Sequence, residues 1–203
     1  MRNKAVLITV VLALASSGTV WATVASTFDT DTEDWLWGGS PVSWSATGGN
    51  PGGYIDVVVA AYGYLSSPAK FLGDLSAYDG GTFSFDAILI DDASGNQAGS
   101  YAFGEVTISD GTNSASTDFF PWDQRPGTGS WSSYSHDFTA ESFNVTQVVW
   151  DDILDNVSGL SIQVNTYQGE EEYGLDNIVL VPEPMTVGLL ALGGFALLRR
   201  RRG

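Results

Sequence analysis

The stretch "TFSFDAILI" at residues 82–90 has the clearest strand pattern in the chain. In it, apolar Phe83, Phe85 and Ala87 alternate with Thr82, Ser84 and Asp86. A period of two is typical of a β-strand with one buried face. The turn-forming residues "DDASGN" follow at 91–96, so the sequence predicts a strand that ends in a turn.

Similar runs recur along the rest of the body and are separated by Gly, Asn, Asp and Ser; they lie at 54–59, 103–109, 131–138, 159–164 and 175–180. One segment differs, because Val149, Ile153 and Val157 recur at a four-residue spacing after Thr146, a residue suited to an N-cap. It predicts a short helix that ends at Gly159. Many strands with one helix favour an all-β, antiparallel β-sandwich over residues 26–181. The glycine-rich "GGNPGG" at 48–53 predicts a loop.

The chain begins with a charged stretch at residues 1–4, an apolar run at 5–15 and then small residues. This order is typical of a secretory signal peptide. We expect the leader to be residues 1–25, with cleavage after Ala25 preferred over cleavage after Ala22. The alternative interpretation is an N-terminal membrane anchor.

The predicted body is strongly acidic. Residues 26–181 contain 23 Asp and Glu but only two basic residues, Lys70 and Arg125, so their formal charge is near −21. Such a charge repels nucleic acid and anionic membrane surfaces, and it repels anionic polysaccharides unless a cation bridges them. The chain contains no cysteine, which excludes disulfides, thiolate metal sites and a cysteine nucleophile.

Four segments of the body, taken in order, resemble the laminin B (laminin IV) domain; they are "GGNPGGYI" at 48–55, "SSPAKFLGDLSAYDGGTFSFD" at 66–86, "TQVVWDDILDNVSGLSIQV" at 146–164 and "YGLDNIVLV" at 173–181. Gln163 departs from this resemblance, because the family often has an arginine in that strand. The resemblance implies a jelly-roll β-sandwich similar to carbohydrate-binding modules, and it does not imply catalysis.

The last residues, "PEPMTVGLLALGGFALLRRRRG" at 182–203, contain a Pro-Glu-Pro motif, an apolar run at 185–198 and four arginines. This tail resembles the PEP-CTERM sorting signal, whose parts here are Pro182, Glu183, Pro184, Arg199, Arg200, Arg201 and Arg202. The resemblance implies processing by an exosortase in a Gram-negative-type bacterium, with a destination at the cell surface or in the extracellular matrix of a biofilm. As a helix, 14 apolar residues span about 21 Å, less than a hydrocarbon core of about 30 Å. The length therefore favours a temporary transmembrane stop in the inner membrane, and a permanent anchor is the alternative.

Trp35, Trp37 and Trp122 are the candidate ligand-binding residues. Trp35 and Trp37 are two apart, so they share one face of a strand. Exposed indoles suit stacking on sugar rings, but the competing interpretation is that they fill the core of the sandwich.

Asp29, Asp31 and Asp176 are the candidate metal ligands. Related jelly-roll modules often hold a structural Ca²⁺ between the first and last strands, and calcium prefers six to eight oxygen ligands. The "DTDTED" stretch at 29–34 is not an EF-hand, because it lacks the glycine and the closing glutamate of that loop. The alternative is that these aspartates are solvated turn residues.

Nothing in the sequence predicts catalysis. His136 is the single histidine, there is no G-x-S-x-G elbow, and acidic pairs are common by chance in so acidic a chain. We therefore expect a non-enzymatic exported protein that binds polysaccharide. The alternatives are a purely structural matrix protein without a sugar ligand and a secreted hydrolase.

Overall fold

The computed structural model describes residues 22–59, 63–92, 103–118, 126–164 and 170–183. Within these ranges, twelve strands form two sheets, accompanied by one α-helix and two short 3₁₀ turns. The first sheet contains β1 (Val24–Ser26), β4 (Ser43–Gly49), β5 (Gly52–Val59), β7 (Gly81–Asp92), β10 (Ser132–Phe138) and β12 (Glu171–Val181). The second contains β2 (Leu36–Trp37), β3 (Ser40–Pro41), β6 (Tyr64–Ser66), β8 (Glu105–Ser109), β9 (Ser114–Asp118) and β11 (Gly159–Gln163).

The strand order of the first sheet is β10-β7-β12-β5-β4, and that of the second is β3-β2-β6-β11-β8-β9. Residues 171–175 of β12 pair with β5, whereas residues 178–180 of the same strand pair with β1. All the ladders between these strands are antiparallel. The predicted antiparallel β-sandwich with one short helix is confirmed.

The core lies between the sheets and follows the alternation of the sequence. Strand β7 sends Phe83, Phe85, Ala87 and Leu89 inward, and β5 sends Ile55, Val57 and Val59. Four aromatic rings pack together, with centroids 5.2–6.4 Å apart; they are Phe85, Phe103, Tyr134 and Tyr173. The alternate residues of β5 and β7 therefore face away from the core.

The helix α1 spans Gln147–Asp155, and Thr146 is its N-cap as predicted. Its buried residues are Trp150, Ile153 and Leu154, and the Trp150 ring lies 4.7 Å from that of Phe143. Gly159 does not end the helix, so that prediction is wrong. Asn156 is the C-cap, and Gly159 is instead the first residue of β11.

The "GGNPGG" stretch is not an open loop, which corrects the prediction. Gly49 pairs with Gly52, so only Asn50 and Pro51 turn the hairpin between β4 and β5. A Cβ at Gly53 would collide with the carbonyl oxygen of Phe28. Glycine at this position thus lets the hairpin backbone lie directly against the loop that follows β1.

The two ends of the chain are only partly described. Strand β1 includes Val24 and Ala25, which were predicted from the sequence to belong to the leader. Residues 184–203, with Pro184, the apolar run and Arg199 to Arg202, lie outside the described residues. Within the described ranges no helix has the length and apolar character that crossing a membrane requires.

Candidate functional site on the outer face of the first sheet

The outer face of the first sheet, the surface directed away from the core, presents residues from β5, β7 and β12. On β5, Tyr54 and Asp56 alternate with the buried Ile55 and Val57. Gly174 of β12 pairs with Asp56 on one side and with Ile88 of β7 on the other. A residue without a side chain therefore lies in the middle of this face.

Gly174 makes room for the ring of Tyr54. A Cβ at Gly174 would lie 2.9 Å from Tyr54 Cδ2 and 2.8 Å from Ile88 Cγ2, and both distances are too short. The tyrosine ring consequently lies over the glycine, against the sheet. We call this part of the outer face the aromatic floor.

Trp131, just before β10, lies beside the aromatic floor. Its ring centroid is 5.7 Å from that of Tyr54, and the two ring planes meet at 78°. The indole N–H donates a 2.9 Å hydrogen bond to the carbonyl oxygen of Gly48 in β4. Both rings are half-buried, so the pair forms a corner that is held in place and still open to solvent on one side.

A pair of carboxyl groups, Asp56 and Glu172, lies on the same face. Burial, a hydrogen bond with Glu172 and the negative charge of Glu172 raise the pKa of Asp56 to about 6. Asp56 Oδ1 is buried and has no hydrogen-bond partner among the described residues. The pair therefore shares a proton more readily than two separate surface carboxylates would.

A second polar cluster closes this face at the β4–β5 turn. Asn177 donates from Nδ2 to Asp86 Oδ2 at 2.8 Å and to the Asn50 carbonyl oxygen at 2.6 Å. Asp176 is fully buried and accepts from the backbone N–H groups of Asn50 (2.6 Å) and Asn177 (2.7 Å). These bonds fix the hairpin turn over the end of β12.

The electrostatics of this cluster are unfavourable for so buried a carboxylate. Burial raises the pKa of Asp176, the hydrogen bonds from Asn50 and Asn177 lower it, and the negative charges of Asp86 and Asp29 raise it again, with a net increase. Lys70 is the single lysine or arginine in the described part of the chain, and it pairs with Glu33. The cluster therefore has an excess of negative charge.

The structure brings together only part of the predicted metal set. Asp29 and Asp176 are close enough to interact electrostatically. The backbone N–H of Glu33, by contrast, donates to Asp31 Oδ1 within its own exposed loop. Among the described residues no group of three acidic or histidine side chains is already arranged as a metal site. Metal binding by Asp29, Asp31 and Asp176 therefore stays a prediction.

The predicted sugar-binding indoles have different outcomes. Trp35 is fully buried, donates its N–H to Ser26 Oγ at 2.8 Å and packs against Phe71. A ring without exposed surface cannot stack on a sugar, so the prediction is wrong for Trp35. Trp37 is half-buried against the core. Trp122 lies outside the described residues. Sugar binding by Trp37 and Trp122 stays a prediction.

The sequence alone did not predict a site that contains Tyr54, Asp56, Glu172 and Trp131. The alternation of β5 was visible in the sequence and places Tyr54 and Asp56 on one face. Glu172 lies on β12 and Trp131 lies just before β10, both distant in sequence from β5, and only the strand order brings them to that face.

Neither a family model nor a curated protein matches the chain. Solved structures with similar folds include an exo-β-agarase, with a TM-score of 0.52 and 15% identity over 77% of this chain. The L4b domain of human laminin α-2 has a TM-score of 0.48 and 14% identity, over 64% of this chain and 80% of that domain. A family 11 carbohydrate-binding module of Clostridium thermocellum has a TM-score of 0.40 and 15% identity, over 83% of this chain and 91% of the module.

These similarities concern the fold alone. The chain spans only 24% of the agarase, so its counterpart there is one part of a larger enzyme. At 14–15% identity no residue role is transferred from these proteins.

Proposed function

We propose that this chain is an exported, non-catalytic protein whose β-sandwich binds a neutral polysaccharide on the outer face of the first sheet. The observation that carries the proposal is the half-exposed corner of Tyr54 and Trp131 beside the carboxyl pair. Aromatic rings bind the apolar faces of sugars, while carboxyl groups bind their hydroxyls.

The charges of the face favour uncharged sugars as the ligand. The body carries a formal charge near −21, so an anionic glycan would be repelled. The Asp56–Glu172 pair adds carboxyl oxygens to this half-buried face, and a hydroxyl group is a donor that such oxygens bind. A glycan rich in hydroxyls supplies that donor without adding negative charge.

The test is a glycan-array screen of residues 22–183, which contain both sheets and the described core, followed by affinity measurements on variants. Tyr54→Ala and Trp131→Ala should each weaken binding about 2- to 12-fold, the equivalent of about 0.5–1.5 kcal/mol per ring contact. Trp44→Ala is the matched control, because Trp44 is 37% exposed at the sheet edge, on β4. Equal losses in all three variants would contradict the assignment.

A structural matrix protein without a sugar ligand is the alternative. The array separates the two, because a structural protein would retain no glycan while it remains folded. A secreted hydrolase would instead release products from the bound polysaccharide. Product release that is abolished by Glu172→Gln would favour this third possibility.

We also propose that the tail directs sorting by an exosortase. Strand β12 ends at Val181, so Pro182 and Glu183 follow the folded body directly. Changing Pro182 and Pro184 to Ala should leave a full-length form in the inner membrane. A mature protein of unchanged size and location in that variant would remove this proposal.

A structural calcium ion near the β4–β5 turn is a further proposal. The cluster offers hard oxygen donors, and Ca²⁺ would offset the repulsion among Asp176, Asp86 and Asp29. Calcium that binds only the folded state would stabilise it by about 2.7 kcal/mol at a hundredfold excess over Kd. Melting with calcium or with chelator at matched ionic strength tests this. Equal midpoints, or a calcium shift unchanged in Asp176→Asn, would contradict it.

A further inference from the structure

The first described residues already belong to the folded body. Val24, Ala25 and Ser26 form β1 and pair with Leu180, Val179 and Ile178 of β12. The half-buried side chain of Val24 also packs against the core. Strand β1 thus extends the first sheet along the half of β12 that β5 does not cover.

Two side chains from elsewhere in the fold hold this strand. Lys70 Nζ donates to the carbonyl oxygen of Ala25 at 2.6 Å. Tyr78 Oη donates to the carbonyl oxygen of Ala22 at 2.7 Å. The backbone from 22 to 26 is therefore recognised by the body at several points.

Ser26 is the most deeply placed residue of this segment. It is fully buried, and its hydroxyl accepts the hydrogen bond of the Trp35 indole. Thr23, by contrast, is exposed. The two residues therefore differ sharply in how well they could carry a new chain terminus.

Cleavage creates an α-ammonium group on the residue that follows the cut. Cleavage after Ala25 would place this positive charge on buried Ser26. It would also remove Val24, the Ala25 carbonyl oxygen that accepts from Lys70, and two of the three residue pairs between β1 and β12. A buried charge is costly, and the ammonium group of Lys70, which lies at the Ala25 carbonyl, would repel it. The nearby carboxylate of Glu33 is already bound by Lys70 and by the N–H groups of Thr27 and Phe28. Cleavage after Ala22 loses the Tyr78–Ala22 hydrogen bond, but it leaves the charge on exposed Thr23 and keeps β1 and the Lys70–Ala25 bond complete.

We infer that the leader is removed between Ala22 and Thr23, and that the mature protein begins at Thr23. This rests on the proposed export, and it replaces the bond after Ala25 that the sequence favoured. Alanine precedes both bonds, so the small-residue requirement of the peptidase does not distinguish them. The distinction comes from the burial of Ser26 and the pairing of β1.

The direct experiment is N-terminal sequencing of the full chain after export in a Gram-negative host. We expect Thr23 as the first residue. A start at Ser26 would overturn the inference and leave the proposed export standing. An intact Met1 would overturn both. Ala25→Leu should leave the Thr23 start unchanged, whereas Ala22→Leu should abolish it.

A second measurement tests the physical reason. Chains that begin at Thr23 or at Ser26, each released from a fused leader by a site-specific protease, are compared by thermal unfolding. The Ser26 chain should melt at a lower temperature at pH 6. Burial in the folded state should lower the pKa of the Ser26 α-amino group below the usual value of about 7.7–8.0. The unfolded chain then binds more protons, so the stability of the Ser26 chain should rise as the pH increases toward about 8. Equal melting temperatures with no such rise would contradict the inference.

Discussion

Each buried indole among the described residues satisfies its N–H inside the protein. Trp35 donates to Ser26, and Trp150 donates to Asp79 Oδ1 at 2.8 Å. Trp131 also donates to a protein acceptor, yet its ring stays half-exposed. Hydrogen bonding of the indole therefore does not distinguish a core tryptophan from a surface one. The place of the residue in the sheets determines whether its ring is buried.

Trp35→Ala should lower the free energy of unfolding by about 3–5 kcal/mol, because it removes a large core ring and leaves the Ser26 hydroxyl without its donor. Urea denaturation followed by circular dichroism measures this loss. Trp44→Ala is the control and should cost less, because it also removes one indole hydrogen bond, to the Phe28 carbonyl oxygen, but takes away a ring that is 37% exposed. A Trp35→Ala protein as stable as the parent would contradict the core assignment.

Asp56 should make the protein less stable as the pH rises. Its folded-state pKa of about 6 lies above the ordinary value of 3.8, so between these values the folded state binds more protons than the unfolded state. Stability contributed by this group is present below about pH 4 and is lost as the pH rises through about 6.

The Asp56→Asn variant should lack the part of the fall in unfolding free energy with pH that Asp56 causes. The measurement is the difference in unfolding free energy between the variant and the parent from pH 4 to 7. Asp152→Asn on the exposed side of the helix is the matched control. A difference that stays constant with pH for Asp56→Asn would refute the shared-proton pair.

The segment between β1 and β2 owes its shape to one carboxylate. Glu33 accepts from the backbone N–H groups of Thr27 (2.9 Å) and Phe28 (2.7 Å) and forms an ion pair with Lys70. Burial alone would raise the pKa of Glu33, but the bonds from Lys70, Phe28 and Thr27 outweigh it and lower the pKa. Phe28 has a φ of 51°, which this anchoring holds in place.

Glu33→Ala should therefore destabilise the fold by about 1–3 kcal/mol, because two backbone donors and Lys70 lose their acceptor. Chemical denaturation measures the loss. Glu141→Ala, at an exposed turn position, is the control and should change stability by less than about 0.5 kcal/mol. Similar effects of both substitutions would contradict the anchoring role.

Strands and helices with a strong local sequence pattern were predictable. Strands whose conformation depends on pairing with a neighbouring strand were not. Strand β7 and helix α1 follow directly from their alternation and their four-residue spacing. Strand β9 was missed, because the sequence "SASTD" has a single apolar residue. Its strand conformation comes from its ladder with β8. Burial of Trp35 likewise depends on neighbours that no local pattern reveals.

The whole molecule explains why the fold was predictable and the candidate site was not. Alternation and turn chemistry in the sequence were enough to predict an antiparallel sandwich, since they specify which residues face the core. The outer face depends in addition on strand order and on Gly174 of β12, over which the Tyr54 ring reaches toward Trp131, just before β10. Because β1 and β12 are antiparallel, the chain also enters and leaves the sandwich at the same end.

The most direct test of the proposed glycan face is a titration of the body, residues 22–183, with the neutral oligosaccharide that the array selects. The indole N–H resonances, assigned by Trp→Phe substitutions, report on the position of the ligand. We expect the Trp131 resonance to shift on binding, while those of the buried Trp35 and Trp150 stay unchanged. A body that binds no neutral glycan, or a bound glycan that leaves the Trp131 resonance unmoved, would contradict the account.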